Sequence, residues 1–390
     1  MVKHSQYFTK KQFAFRIIDL LDLPTVHYIL DLGIGDAALS LAALNKWPHA
    51  YVDSVDIDND ICNNVEKLHN HIHVTNGDVL SNEGTKRLIK SSFDLALCNP
   101  PYGVISGDIN FGELFSSVNM EECLRIKRLS ADIVFIAKNF LYLKDRGILA
   151  VILPDGLLSR KDLYSFRVSL IEHHQICCIY QLPEKSFSLT EARTHIVILK
   201  KNGKTPSKVR VGMLDMAGNI KDEIFVDKGF LCERMDFSYL KWKLNKKLRK
   251  ELALSDVSIK RGGVTYKDLR SHNFPFLHSS SFKNGEILCL PDMSYDFTVD
   301  KVLAQAGDIV MCRVGKRSVG KVAFIKEGKV PISDCVYKIT VTKGIERIVF
   351  DRLLDEDTKE WIRSCAHGVC SKVHYCPIKK GNSIFETVEL

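Results

Sequence analysis

The 390-residue chain lacks the apolar segments that membrane insertion or secretion requires. No apolar run approaches the roughly 18–20 residues of a transmembrane helix. Its first residues, MVKHSQYFTKKQF, contain no apolar core of a secretory signal peptide. We therefore expect a cytoplasmic protein without a membrane partner.

A disulfide framework is also missing, although the chain contains 12 cysteines. They are scattered along a sequence long enough to form a hydrophobic core without cross-links, so we expect reduced thiols. Cys365, His367, Cys370, His374 and Cys376 lie close together. Their spacing lacks the paired C-x2-C arrangement of structural zinc sites, and we therefore predict no metal ion.

The positive charge is distributed unevenly. The net charge is +8, but residues 1–200 carry 21 basic and 23 acidic side chains, whereas residues 201–390 carry 34 and 24. A basic half next to a neutral half indicates a polyanionic partner. A solvated basic helix face is an equally good explanation of the charge alone, particularly for KWKLNKKLRK at 241–250.

The first 200 residues alternate apolar runs with amphipathic helical patterns. Apolar strands separated by helices are typical of a parallel sheet covered on both faces. We therefore predict a doubly wound, mostly parallel α/β domain. The predicted strands are YILDLG (28–33), AYVDSVDI (50–57), IHVTNGD (72–78), FDLALCN (93–99), GILAVILP (147–154), QICCIYQL (175–182) and THIVILKK (194–201).

The pattern changes near residue 226, first to a basic amphipathic helix and then to short β-like runs separated by turns. A helical pattern, RLLDEDTKEWIRSCA, follows at 352–366. We predict a catalytic domain at 1–235, a basic helical linker at 236–250 and a smaller mixed, mainly β domain at 251–390.

The sequence DLGIG closes the first predicted strand. Glycines at a strand-to-helix turn allow close approach of a ligand to the backbone, so Asp31, Gly33 and Gly35 are candidate cofactor residues. Gly33-x-Gly35-x-x-Ala38, with Asp56 further on, also fits the dinucleotide-binding pattern. At this point a nicotinamide cofactor and a tight turn without a ligand both remain open.

Acidic residues end the next two strands as well. Asp56 is placed to accept hydrogen bonds from ribose hydroxyls, and Asp78 from an adenine amino group. Either could instead be a helix N-cap. With Asp31, they give three acidic strand ends in succession, which favours one shared ligand. We expect their neighbours Ile57 and Val79 to line the same cofactor pocket.

The motif Asn99-Pro100-Pro101-Tyr102 follows the fourth strand. An exocyclic amino group is a poor nucleophile because its lone pair is delocalised into the ring. The Asn99 side-chain oxygen and the Pro100 carbonyl can accept its hydrogens and stabilise the positive charge that develops on nitrogen. Tyr102 offers a face for stacking a planar base. A proline turn without function is the alternative, but the motif removes the nicotinamide interpretation.

DLGIG, VDID, NGD and NPPY, in this order, resemble the amino-group methyltransferases, a resemblance that implies S-adenosylmethionine as the cofactor. SQYFTKKQFA at 5–14 is similar to a segment of the adenine DNA methyltransferases whose threonine covers the methionine part of the cofactor. That threonine corresponds to Thr9, and Lys10 replaces the usual proline.

GILAVILPDGLLS at 147–159 and LPEKSFSLTEARTHIVILKK at 182–201 resemble the modification subunits of type I restriction systems. In that family an aromatic residue of the second segment packs against the flipped target base. Phe187 occupies the matching place, which implies a catalytic role. The alternative is a phenylalanine of the hydrophobic core.

The C-terminal third resembles a target-recognition domain of type I specificity subunits, through RGGVTY, FPFLHSSSF and KVLAQAGDIVMCRVGKRSVGKVAFI. The order of the segments is similar to the gamma group of DNA adenine methyltransferases. The resemblance implies a bacterial, archaeal or phage-encoded protein. The basic residues that we predict to contact DNA are Lys246, Lys247, Arg313, Lys316, Arg317 and Lys321.

Together these features predict methylation of adenine N6 in duplex DNA, with a restriction endonuclease or other defence-system subunits as partners. Cytosine N4, RNA or a protein glutamine are alternative methyl acceptors. From a different class, the chain could be a DNA-reading subunit with an inert catalytic domain.

Overall fold

The computed structural model describes residues 8–105, 110–184, 186–187, 193–244, 257–271, 275–292, 302–315 and 317–366. The chain divides into two compact units, Met1–Leu240 and Lys241–Leu390. This division falls inside the predicted linker at 236–250, of which residues 245–250 lie outside the described part.

A nine-stranded sheet forms the centre of the first unit, in the order β3-β2-β1-β4-β5-β7-β6-β8-β9. The strands from β3 to β5 are parallel, whereas β7 is antiparallel to both β5 and β6. The predicted doubly wound, mostly parallel sheet is confirmed. The strands are β1 Tyr28–Leu32, β2 Tyr51–Asp56, β3 Ile72–Asn76, β4 Phe93–Cys98, β5 Leu143–Pro154, β6 Gln175–Gln181, β7 Thr194–Lys200, β8 Lys208–Leu214 and β9 Ile220–Asp227.

Helices cover this sheet. The first three share a hydrophobic core with strand residues such as Ile29, Val52 and Leu95. The fifth is buried on nearly every side and packs against β1, β4 and β5. The helices are α1 Lys11–Asp19, α2 Ala38–Lys46, α3 Asn59–Leu68, α4 Gly112–Ser117, α5 Ala131–Tyr142, α6 Asp155–Ser159, α7 Tyr164–His173, α8 Lys228–Leu231 and α9 Phe237–Leu244, the last of which crosses the division between the units.

The second unit contains a mixed six-stranded sheet, which confirms the predicted mainly β domain. Its order is β10-β15-β13-β14-β11, and β12 pairs with β14. All pairs are antiparallel except β11 with β14. The strands are β10 Ser258–Arg261, β11 Glu286–Asp292, β12 Leu303–Gln305, β13 Ile309–Cys312, β14 Val322–Pro331 and β15 Val336–Thr340.

Both faces of this second sheet are apolar. Ile309 and Met311 pack in one core with the helices, while the alternate residues Val310 and Cys312 belong to a second core. The helices are α10 Tyr266–Ser271, α11 Glu346–Leu354 and α12 Glu356–Cys365.

Two expectations for this unit were wrong in detail. The single helix predicted over 352–366 is two helices, because Asp355 adopts an extended conformation with φ −61° and ψ 140° and its side chain pairs with Arg352. The β-like run at 261–266 forms a strand only at its first residue, and helix α10 begins at Tyr266. None of the described helices is long and apolar enough to cross a membrane.

Candidate active site

A pocket of about 1020 Å³ lies at the carboxyl ends of β1 to β4 in the first unit. Parallel strands bring their carboxyl ends to the same edge of a sheet, and this edge is where such folds bind ligands. The structure brings together twelve of the thirteen residues that the sequence predicted for catalysis and the cofactor, Asn99 being predicted for both. They are Thr9, Asp31, Gly33, Gly35, Asp56, Ile57, Asp78, Val79, Asn99, Pro100, Pro101 and Tyr102.

The turn after β1 has the geometry of a ligand cradle. Gly33 and Gly35 have φ values of 79° and 53°, in the left-handed region that favours glycine. The Gly35 amide donates to Asp56 Oδ2 at 3.1 Å, which joins the turn to the end of β2. The residues present therefore fit a nucleoside-type cofactor whose ribose lies near this carboxylate.

Asp56 is not a helix N-cap. Helix α3 is capped by Asp58, whose side chain accepts from the Asp60 and Ile61 amides. Asp56 itself is buried and accepts from the amides of Gly35 and Asp58. A carboxylate has about four lone-pair positions, so acceptor capacity remains for a pair of hydroxyl groups.

Asp31 is almost completely buried, and Ser40 Oγ donates to its Oδ2 at 2.6 Å. The pKa of Asp31 is raised to about 7, mainly by burial and also by the nearby carboxylates of Asp56 and Asp36, while the hydrogen bond from Ser40 acts in the opposite direction. The ionisation of this pocket carboxyl group therefore responds to pH near neutrality.

Asp78 is exposed, and its Oδ1 accepts from the Leu80 amide at 2.9 Å. The loop that it begins folds back tightly, since a Cβ at Gly84 would lie 2.2 Å from the Asp78 carbonyl oxygen. Only glycine permits this approach without a shift of the backbone. The loop therefore places a carboxylate in the lining of the pocket.

Two hydrogen bonds orient the Asn99 amide. Its Nδ2 donates to Thr9 Oγ1 at 3.2 Å, and Tyr102 Oη donates to its Oδ1 at 3.2 Å. A carbonyl oxygen has two lone pairs, so it can accept from two donors at once. The sequence placed Thr9 over the cofactor; its contact with Asn99 was not predicted.

The segment after the motif is held by the start of α5. The Ala131 amide donates to the Gly103 carbonyl at 2.9 Å, and the Ile105 amide to the Leu129 carbonyl at 3.0 Å. On the same helix, Phe135 lines the pocket against Gly33. Phe135 was not predicted as a site residue, although its place four residues after Ala131 on a helix following NPPY was a usable signal.

Phe187 is the one predicted catalytic residue that does not line this pocket. It is 4% exposed and belongs to the hydrophobic core of the first unit, together with Leu182 and Ile196. This is the core position that the sequence left open as the alternative. Residues 188–192 of its segment lie outside the described part of the chain.

The predicted DNA contacts differ in their surroundings. Arg313 is 4% exposed and its Nε donates to the Asp334 carbonyl at 2.9 Å, so the guanidinium holds a loop together instead of facing solvent. Arg317 is exposed and Lys321 is half-buried. Lys246, Lys247 and Lys316 lie outside the described residues.

Among the residues that the structure describes, no group of histidine, cysteine and carboxylate side chains could hold a metal ion. Of the C-terminal Cys/His cluster, only Cys365 lies in the described part.

Residues 59–237 match the model of a family described as N-6 DNA Methylase. The matched residues include the NPPY motif and agree with the family that the motifs indicated, for which the resemblance implied S-adenosylmethionine as the cofactor. The chain is also 28% identical over 146 residues to the type I restriction enzyme MpnII methylase subunit of Mycoplasma pneumoniae, covering 35% of this chain and 27% of that protein.

A second relative is the tRNA1(Val) (adenine(37)-N6)-methyltransferase of Vibrio vulnificus, 34% identical over 80 residues, which are 19% of this chain and 31% of that protein. The chain thus spans less than a third of the length of either relative. Among solved structures, the type IIG restriction endonuclease BpuSI has a TM-score of 0.51 at 13% identity, covering 98% of this chain and 58% of that one, which shows a shared fold.

Proposed function

Since residues 59–237 belong to the N-6 DNA methylase family, we propose that the chain transfers a methyl group from S-adenosylmethionine to the N6 amino group of adenine in duplex DNA. One observation carries this proposal. Asn99 lies in the same pocket as Asp31 and Asp56, with its amide held by Thr9 and Tyr102. Acceptors for an amino group and a cofactor cradle therefore share one cavity.

In this proposal the protein fixes the geometry of the acceptor. The Asn99 side-chain oxygen and the Pro100 carbonyl accept the two hydrogens of the amino group. These dipoles are already oriented before reaction, so they stabilise the positive charge on nitrogen without reorganisation. Holding the amino group in place removes much of the entropic cost of a bimolecular step.

The lining of the pocket supports the predicted cofactor residues. The backbone of Gly33 and Gly35 would contact the cofactor, Asp56 would accept from the ribose and Asp78 from the adenine amino group. When bound, S-adenosylmethionine supplies an electrophilic methyl group on a positively charged sulfur. Asp31 contributes negative charge to this pocket when it is ionised.

The target adenine must leave the base stack, because its amino group cannot otherwise enter the pocket. Tyr102, half-buried in the pocket wall, offers a face on which the extruded base can stack. We assign sequence recognition to the second unit, whose resemblance to a specificity subunit and whose share of the net charge of +10 over residues 201–390 support contact with duplex DNA.

The biological setting that we propose is a restriction-modification or related defence system, with a restriction endonuclease or another subunit as partner. The M. pneumoniae relative, named a type I methylase subunit, supports this setting. The V. vulnificus relative is named a tRNA methyltransferase, and RNA is therefore tested beside DNA.

Single-molecule sequencing of DNA from cells that express the full chain tests the proposal. We expect N6-methyladenine in one sequence context, and none in cells that express Asn99→Ala. Mass spectrometry of nucleosides and proteins from the same cells covers the alternatives. Methylated cytosine N4, RNA or glutamine, with unmodified adenine in DNA, would refute the proposed substrate. If the wild-type chain methylates none of these acceptors, an inert catalytic domain would be favoured.

A further inference from the structure

Lys138 is a lysine in the interior of α5, and it is 2% exposed. Lysine is almost never fully buried unless its ammonium is paired. All three of its hydrogen-bond donors are used. Nζ donates to the Ser81 carbonyl at 2.9 Å, to Asn82 Oδ1 at 3.3 Å and to Thr85 Oγ1 at 3.1 Å.

These three acceptors belong to one loop, residues 78–85. All three also line the pocket, as do Asp78 and Val79 from the same loop. The loop has bonds of its own, from Ser81 Oγ to the Asp78 carbonyl at 2.9 Å and from the Gly84 amide to Ser81 Oγ at 2.9 Å. Lys138 is thus a single side chain that holds three of the residues that the 78–85 loop contributes to the pocket lining.

The ammonium is held by neutral oxygens in a buried position, which is an expensive arrangement. Burial lowers the pKa of Lys138 to about 8, and only the more distant carboxylate of Asp78 acts in the opposite direction. Burial of a charge costs free energy, and hydrogen bonds to neutral oxygens offset only part of this cost. A role in placing the loop gives this charge a function that packing alone does not.

Three other residues on the same face of α5 line the pocket. Ala131, Phe135, Lys138 and Tyr142 follow the spacing of one helix face. Ala131 is bonded to Gly103 next to the NPPY motif, Phe135 lies on the glycine turn of β1, and Tyr142 Oη donates to the Thr85 carbonyl at 3.4 Å. Helix α5 therefore contacts both the 78–85 loop and the segment next to the NPPY motif.

We propose that Lys138 is a positioning residue for the cofactor, which holds the 78–85 loop so that Asp78 faces the adenine of S-adenosylmethionine. This inference rests on the proposed cofactor site. Since Lys138 is buried behind the loop and does not line the pocket, it acts through its three loop partners. Its loss should weaken cofactor binding and leave the methyl-transfer step at Asn99 unchanged.

The test compares Lys138→Met with Lys201→Met in the full chain. Methionine has similar length but no donor. Lys201 is the matched control, because it is also buried and donates to a backbone carbonyl, that of Leu143, at 2.7 Å, but it does not line or support the pocket. We expect calorimetry with S-adenosylmethionine to show a Kd raised by about tenfold or more in Lys138→Met, the loss of at least one hydrogen bond to a charged group. Lys201→Met should bind like the wild type.

At saturating cofactor and DNA, kcat of Lys138→Met should stay within about twofold of the wild type, which separates positioning from a general loss of folding. Thr85→Val removes one of the three acceptors of Lys138, together with the bond from Thr85 Oγ1 to the Ser81 carbonyl, and should raise Kd by a smaller factor. This variant tests the inference if Lys138→Met does not fold. A wild-type Kd in both folded variants would overturn the inference while leaving the cofactor site intact. No binding by the wild-type chain would instead refute the cofactor site and the inference together.

Discussion

Asn99 and Thr9 are 90 positions apart in the chain, and the Asn99 Nδ2 atom donates a hydrogen bond to Thr9 Oγ1 at 3.2 Å. An amide whose nitrogen is engaged in this way directs its oxygen towards the opposite side, where Tyr102 Oη donates to it. Thr9 therefore determines which end of the Asn99 amide is available as an acceptor for an amino group. The N-terminal segment contributes to the catalytic geometry as well as to the pocket wall.

Thr9→Val should lower kcat by about five- to tenfold, the value of one hydrogen bond that orients a catalytic group, while Thr9→Ser should remain near the wild type. Asn99→Ala should cost about 10²–10³ in kcat, because it removes the preorganised acceptor itself. Single-turnover assays with saturating S-adenosylmethionine give these rates, and calorimetry should show unchanged cofactor affinity for Asn99→Ala. A normal rate in that variant would remove Asn99 from catalysis.

The seven strands predicted in the first 200 residues are all present, and most of them are buried apolar runs; β3, which alternates buried and exposed residues, is an exception. β1 and β4, for example, are buried from their second or first residue onwards except at Asp94. Strand ends on a parallel sheet converge by topology, so the positions of Asp31, Asp56 and Asn99 along the chain were enough to predict a shared pocket.

What the sequence did not predict arises from long-range contacts or weak patterns. β9 at Ile220–Asp227 is an edge strand with one buried residue, Val226, and its apolar run is only three residues long. The bond between Asn99 and Thr9 and the three bonds of Lys138 join segments far apart in the chain, and no local spacing encodes them. Phe187 is a case in which the sequence predicted too much: a resemblance assigned it to the site, whereas the structure packs it in the hydrophobic core.

Cofactor affinity should depend on pH through Asp31. Its pKa of about 7 means that the carboxyl group is increasingly protonated below that pH, and a cationic cofactor prefers the ionised form. S-adenosylmethionine should thus bind more tightly as the pH rises from about 5.5 to about 7.5, a range in which its amino group keeps most of its charge. Ser40→Ala removes a hydrogen bond that lowers this pKa, so its binding curve should shift to higher pH. Calorimetry across this range measures both; a flat profile would mean that Asp31 does not influence the bound cofactor.

Asp56→Ala should abolish measurable cofactor binding, since it removes the expected ribose acceptor and frees the Gly35 amide at once. Asp53→Ala is the matched control. Asp53 lies on the same strand, three residues earlier, and does not line the pocket. Equilibrium dialysis with labelled S-adenosylmethionine should therefore detect binding by Asp53→Ala and none by Asp56→Ala. Equal affinities in the two folded variants would contradict the role of Asp56.

Salt dependence should separate the two arginines of the second unit. Each phosphate contact contributes about −0.9 to the slope of log affinity against log salt concentration. Arg317→Ala should flatten the slope by about one contact, because Arg317 is exposed. Arg313→Ala should lower thermal stability, because the buried guanidinium bonds to Asp334.

The basic segment is tested by a variant with alanine at Lys246, Lys247, Arg249 and Lys250, which should flatten the slope further. Fluorescence titrations at several salt concentrations decide this, and an unchanged slope would place the basic segment away from DNA.

Tyr102 should stabilise the extruded target base through its ring. Extrusion of a paired base costs a few kcal/mol and less when the base is mispaired, so the wild-type chain should bind a duplex mismatched at the target adenine more tightly than a matched one. Stacking on an aromatic ring is worth about 1–3 kcal/mol per base. Tyr102→Ala should therefore lose most of its affinity for the mismatched duplex. Tyr102→Phe keeps the ring and should retain that affinity, although it lacks the hydroxyl that donates to Asn99 and should turn over more slowly.

Phe187→Ala should keep the mismatch preference if its core position persists with DNA bound, and lose it if the segment rearranges to face the base. Titrations of the three variants with both duplexes at one fixed salt concentration distinguish these cases. Equal wild-type affinity for the two duplexes would count against base extrusion, because an enzyme that must unpair its target gains from finding it already unpaired.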